Sequence, residues 1–276
     1  MKFEERQIRV EYNNVSYVDE GPADGVTIIC IHGFPFDKST WENQINAWKE
    51  DYRVIAYDVR GHGKSTADTS QTSITRFASD LFLFMDALGI ETAILCGLSM
   101  GGYIALNAAI TEPARFEALI LCDTQCGADS DQARKKRMDT IVSVQKNGLT
   151  QYAHDSLQKL FCETSLTDNR EAVDFIEKII LHTPQETIVN TLRALADRKE
   201  TCSELYRINI PVMILVGESD QITSPVLALK MNQLIMGSTL QVIERAGHLS
   251  NLENPVTFNG HVQKFLATIQ QMTKRL

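Results

Sequence analysis

Six short apolar runs recur along the chain: Val26 to Ile31, Arg53 to Tyr57, Thr92 to Cys96, Ala118 to Cys122, Val212 to Val216 and Leu240 to Ile243. They are rich in Ile, Val and Leu and show little polar alternation, as expected of strands covered on both faces. Between them lie stretches with helical spacing of apolar residues: Thr40 to Trp48, Ile74 to Leu88, Met100 to Thr111, Val226 to Ile235 and Val256 to Met272. Strands alternating with helices predict an α/β fold, a mostly parallel sheet flanked by helices on both sides. Ahead of the first run, Gln7 to Tyr12 and Val15 to Asp19 alternate in polarity around Asn13-Asn14, which predicts a hairpin.

The alternation breaks once. Four helical patterns follow one another without a strand, at Ser130 to Lys146, Leu149 to Phe161, Asn169 to Leu181 and Pro184 to Asp197. This predicts a helical cap at residues 125–205, inserted between a first core segment at 1–124 and a second at 206–276. The apolar residues Phe175, Ile176, Ile179, Ile180 and Leu181 are expected mainly to pack the cap against itself.

Composition narrows the function classes. With 43% hydrophobic and 22% charged residues, the chain can build a globular core. A net charge of -8 disfavours nucleic acid as a partner. The one basic run, Arg134-Lys135-Lys136-Arg137, reads as the solvated face of a helix. The N-terminus lacks the apolar region of a signal peptide, and no stretch reaches membrane-spanning length. The six cysteines show no CxxC pair, and Cys30, Cys96 and Cys122 fall in strand-like runs as small core residues. A reducing cytoplasm is the expected setting. No metal-ligand spacing is visible, and neither metal nor cofactor is expected.

The chemistry gathers where strands end. Gly97-Leu98-Ser99-Met100-Gly101 joins a strand to a helix, and a serine there is either a helix cap or a nucleophile held on a sharp turn. A nucleophilic serine needs a base, and His248 in Ala246-Gly247-His248 follows the last strand. The base needs a carboxylate. Asp220 follows the strand Val212 to Val216 and is preferred over Asp123, which ends an earlier strand. The backbone N–H groups of Phe34 and Met100 are placed to hold an oxyanion, and Phe36 is expected to reach the substrate pocket. Trp41 and Tyr103 read as core residues, and His32 as a brace of the oxyanion loop. Arg60 and His62, in Asp58-Val59-Arg60-Gly61-His62-Gly63, brace loops beneath the site. His154 and His182 fall in the cap and His261 in the last helix, away from the candidate chemistry.

Taken in order, "HGFP" at 32–35, "DVRGHGKS" at 58–65, "GLSMGG" at 97–102, "GESDQITSP" at 217–225 and "AGHLSNLENP" at 246–255 resemble the α/β-hydrolase fold superfamily across nearly the whole chain. Within it the chain is similar to small carboxylesterases and to 3-oxoadipate enol-lactonase-like hydrolases. The resemblance implies a Ser99–His248–Asp220 triad acting on a small ester or lactone, in a monomer or homodimer. Epoxide hydrolases and haloalkane dehalogenases also carry "HGFP", but use an aspartate where this chain has Ser99. Perhydrolases share the triad. Carbon–carbon bond hydrolases usually carry a glycine-richer oxyanion loop. Slow-turnover ligand receptors of the same fold are the rival class outside enzymes.

Overall fold

The computed structural model describes residues 2–67 and 72–273. The hairpin is present, but its turn lies at Glu11-Tyr12, between β1 (Arg6–Val10) and β2 (Asn13–Glu20), and not at Asn13-Asn14. Asn13 pairs directly with Val10 and is buried, so the asparagines open the second strand. Glu11 takes the positive φ of 51° that the tight reversal requires.

Six further strands follow: β3 (Thr27–Ile31), β4 (Arg53–Tyr57), β5 (Ala93–Leu98), β6 (Phe116–Cys122), β7 (Val212–Gly217) and β8 (Thr239–Ile243). They form one sheet in the order β1-β2-β4-β3-β5-β6-β7-β8, parallel from β4 through to β8. Alternate strand residues divide between two cores, as a two-residue side-chain period demands. Ile29, Ile31, Ile55, Leu95, Leu119, Leu121 and Ile214 face one way. They meet α2 (Ile74–Ala87), α3 (Met100–Thr111) and α9 (Pro225–Leu234). Ile28, Cys30, Val54, Ile94, Cys96, Ile120 and Leu215 face the other way, toward α1 (Glu42–Trp48) and α10 (Pro255–Thr273).

Between β6 and β7 the chain runs through α4 (Asp131–Asn147), α5 (Thr150–Leu160), α6 (Glu163–Asp168), α7 (Arg170–His182) and α8 (Gln185–Ala196). The short α6 was not among the four expected helices. Ser130 accepts from Ala133 N at 3.2 Å and Asn169 accepts from Ala172 N at 3.4 Å, which caps α4 and α7. On α7, Ile176, Ile179 and Ile180 are buried, Phe175 is partly buried against the same core, and Leu181 is exposed. Among the described residues, no helix is long and apolar enough to cross a membrane.

The expectation of unpaired cysteines fails at one place. Cys126 and Cys202 form a disulfide across 76 residues. It joins the chain just after β6 to the chain just before β7, and so ties together the two ends of the helical insertion. Cys30, Cys96, Cys122 and Cys162 are free and buried. Closing so long a loop should stabilise the fold by roughly 2–4 kcal/mol. A reductant, or Cys126→Ser, should therefore lower the melting temperature by about 5–10 °C. A melting curve that a reductant leaves in place would contradict this.

Candidate active site

The turn at Ser99 is built by close backbone approaches. A Cβ on Gly97 would stand 2.4 Å from the carbonyl oxygen of Gly101, and one on Gly101 would stand 2.1 Å from that of Ile31. Glycine at both positions lets β5, β3 and the start of α3 meet without side chains between them. Ser99 itself is held at φ 53°, ψ -111°, a region a non-glycine residue occupies only when its surroundings impose it. The constraints are visible. Ser99 N donates to Cys122 O at 2.8 Å, and Ser99 O accepts from Gly102 N at 2.9 Å and Thr124 Oγ1 at 2.8 Å.

Ser99 does not serve as a helix cap, because its side chain makes no capping bond. Instead Ser99 Oγ lies 2.8 Å from His248 Nε2. His248 Nδ1 lies 2.8 Å from Asp220 Oδ2. With a neutral imidazole, this arrangement has Nδ1–H donating to the carboxylate and Nε2 accepting from the serine hydroxyl. Asp220 accepts further bonds from Ile222 N at 2.8 Å, Thr223 N at 2.9 Å and Thr223 Oγ1 at 2.7 Å. Burial opposes charge on both partners, but their mutual attraction wins. It holds the Asp220 carboxyl well below the usual carboxylate range and the His248 imidazolium above the usual imidazole range.

Asp220, not Asp123, is the carboxylate that meets His248. Asp123 accepts from Gly217 N at 2.8 Å and meets Ser250 Oγ at 2.5 Å, so its oxygens tie β7 to the segment after His248. Burial, together with the nearby Asp220 charge, pushes its carboxyl up to about 8. Its φ of 45° marks a second constrained position at a strand end.

Gly33 packs on the turn from the other side. A Cβ there would be 3.2 Å from Ser99 Cβ. This brings the loop carrying Phe34 against the serine, and both Phe34 and Met100 line the same cavity as Ser99 and His248. The N–H of Met100 is the first of α3 and has no carbonyl one turn earlier within its helix. His32 holds the loop. Its Nδ1 donates to Gly33 O at 2.8 Å and its Nε2 accepts from Val59 N at 2.9 Å. Burial lowers its pKa to about 4, so it stays neutral and keeps both bonds. Arg60 forks onto Asp80 with two bonds of 2.6 Å, and buried His62 bonds Arg60 O at 3.1 Å. Both act as braces.

The cavity, about 420 Å³, is bounded by the Ser99 turn on one side and by α4, α5 and α8 on the other. Two expectations are corrected here. Phe36 is completely buried in the core and does not line the cavity, because its ring packs inward while Phe34 and Pro35 face the space. Tyr103 is a buried core residue as expected and also lines the cavity, one turn along α3 from Ser99, with the guanidinium of Arg198 4.5 Å from its ring centre. Lys136 and Arg137 line it too, so the basic run is not simply a solvated face.

Sequence reasoning missed several supports. Thr223, three residues after Asp220, has the spacing of a side-chain-capped turn and was legible in principle. Glu253 was not. It accepts from Gly247 N at 2.7 Å and from Cys162 N at 2.8 Å, holding the His248 loop to a segment 91 residues away. Leu160 O also accepts from His248 N at 2.8 Å.

Comparison with known proteins agrees with the fold and the strand-turn-helix context. Residues 26–255 match the family model for the α/β hydrolase fold. A 3-oxoadipate enol-lactonase of Acinetobacter baylyi is 31% identical over 249 residues, covering 90% of this chain and 91% of that protein. A thermophilic esterase from Thermogutta terrifontis, solved with malate bound, superposes with a TM-score of 0.91 at 29% identity, covering 96% of this chain and 99% of that one. The enol-lactonase from Burkholderia xenovorans superposes with a TM-score of 0.89 at 26% identity, covering 95% of this chain and 100% of that one. With the family model spanning most of its length, the chain belongs to the α/β-hydrolase fold family.

Proposed function

We propose that this protein is a serine hydrolase that cleaves a small carboxylic ester or lactone through an acyl-enzyme. The observation that carries the reading is the unbroken chain Ser99 Oγ–His248 Nε2 and His248 Nδ1–Asp220 Oδ2, both links 2.8 Å. His248 takes the Ser99 proton as the hydroxyl oxygen attacks the carbonyl carbon. Asp220 stabilises the resulting imidazolium, and the N–H groups of Phe34 and Met100 hold the oxyanion. The imidazolium then gives its proton to the departing alkoxide. Water, activated by His248, releases the acid and restores Ser99. For a lactone, the alkoxide stays tethered to the acyl group and leaves with it. The esterase and enol-lactonase relatives support this reaction class.

The helices between β6 and β7 act as the substrate-selecting cap in this reading, with residues 125–205 as the inserted unit. Hydrolysis of p-nitrophenyl esters from acetate to octanoate tests the proposal and sizes the cavity. Many turnovers per protein are expected, with preference for short acyl groups. A single stoichiometric release of nitrophenol followed by a stall would favour the slow-turnover receptor instead.

A further inference from the structure

We propose that Asp123 is a positioning residue of the triad: its buried carboxyl group, just past the end of β6, holds the acid and base loops in register with the Ser99 turn. The role rests on the hydrolase reading for its effect on turnover, but not for the triad geometry it predicts.

The sheet order places β6 between β5, which runs into the Ser99 turn, and β7, which leads to Asp220. The last residue of β6 and the two after it each hold a catalytic loop. Cys122 O accepts from Ser99 N at 2.8 Å, and Thr124 Oγ1 donates to Ser99 O at 2.8 Å. Between them, Asp123 Oδ1 accepts from Gly217 N at 2.8 Å, three residues before Asp220. Its Oδ2 accepts from Ser250 Oγ at 2.5 Å and from Ser250 N at 3.3 Å, two residues after His248. One side chain therefore bonds both loops from a segment that grips the serine turn. The last residue pair of β6 and β7 is Cys122 with Leu215, and past that pair the Asp123 carboxyl group carries the link onward to Gly217.

Ser219 N also donates to Ala246 O at 2.9 Å, which joins the acid and base loops to each other but not to the serine turn. A Cβ on Gly217 would stand 1.9 Å from Gly247 O, so the two loops touch where the carboxyl group bridges them. Asp123 is wholly buried at a φ of 45°, a costly place for a polar side chain that its three donors offset. Asp123, Thr124, Gly217 and Ser250 all lie outside the cavity lining. Loss of the bridge therefore leaves the substrate contacts in place and acts on the distances between Ser99, His248 and Asp220. Attack by the serine needs those groups aligned, and a displacement of about 1 Å can cost about a hundredfold in rate.

The test compares variants with wild type on p-nitrophenyl acetate, at a temperature where melting curves show each protein folded. Asp123→Ala is expected to lower kcat by about ten- to hundredfold and to leave KM within about twofold. Asp123→Gly accepts the positive φ without strain and should lose as much, because the side-chain bonds and not the backbone are at stake. Asp123→Asn keeps an oxygen for Gly217 N and an amide for Ser250 Oγ, and should regain most of the loss. Ser250→Ala and Thr124→Val each remove one bond and should cost about fivefold in kcat, which keeps the role testable if the Ala and Gly variants fail to fold. In parallel, NMR of the His248 ring reads its bonds to Asp220 and Ser99 without any substrate. The ring signals should move in Asp123→Ala, or in Ser250→Ala and Thr124→Val, and return in Asp123→Asn. Such a change in a protein that turns over no ester would sink only the hydrolase reading. Wild-type kcat and unmoved ring signals in the Ala variant overturn the role. So does recovery in Asp123→Gly, a loss carried wholly by KM, or an Asp123→Asn variant as impaired as Asp220→Asn.

Discussion

Ser99→Ala is expected to lower ester turnover by about a millionfold while leaving the fold intact. The expectation follows from what the side chain touches. Ser99 Oγ has His248 Nε2 at 2.8 Å and makes no bond to the helix behind it. Removing it deletes the nucleophile but keeps the Cβ, so the constrained backbone at φ 53° faces the same steric demands in the variant. The backbone bonds to Cys122, Gly102 and Thr124 are unaffected. Loss of one hydrogen bond should cost about 1 kcal/mol of stability. Adding His248→Ala to Ser99→Ala should reduce the rate little further, because the two groups act as one unit. Turnover in the single variant near the wild-type rate would show that another group attacks the substrate.

Asp220→Asn should carry the second-largest penalty, on the order of ten-thousandfold in kcat. An amide cannot hold His248 with Nδ1 protonated, nor stabilise an imidazolium. It should also move the pH profile. In wild type the attraction to Asp220 outweighs burial and raises His248 above the ordinary imidazole value of 6.5. The base must be neutral to accept the serine proton, so kcat/KM should rise with pH through a midpoint above that value. Without Asp220 the burial that disfavours the charged ring dominates, and the midpoint should shift to lower pH. Asp123 should not take over, since its oxygens are committed to Gly217 and Ser250. A variant with near-normal kcat and an unmoved midpoint would assign the acid's role elsewhere.

The parts of the molecule that were legible in its sequence are those whose causes are local. Buried strands announce themselves by apolar runs, because a strand covered on both faces has no solvent side to mark with polar residues. The serine turn was legible because its geometry demands glycine at Gly97 and Gly101, where any Cβ would meet a backbone oxygen. His248 and Asp220 stood out because each follows a strand at the edge where the serine turn lies. What escaped depends on tertiary contacts. Which face of α4 looks inward is decided by its packing on α5 and α8, so Lys136 and Arg137 could not be separated from Arg134 and Lys135 by spacing. The Cys126–Cys202 bond spans 76 residues and leaves no periodic trace. Phe36 and Phe34 are two residues apart, and only the path of the loop decides that Phe34 faces the cavity.

The central claim is that Ser99 is the nucleophile, and covalent capture of the acyl-enzyme position tests it most directly. The protein is incubated with a p-nitrophenyl phosphonate, digested, and read by mass spectrometry. One equivalent of nitrophenol should be released, with the phosphonyl group on the peptide containing Ser99, and labelling should be absent in Ser99→Ala and strongly slowed in His248→Ala. Modification of a different residue, or equal labelling of Ser99→Ala, would contradict the account.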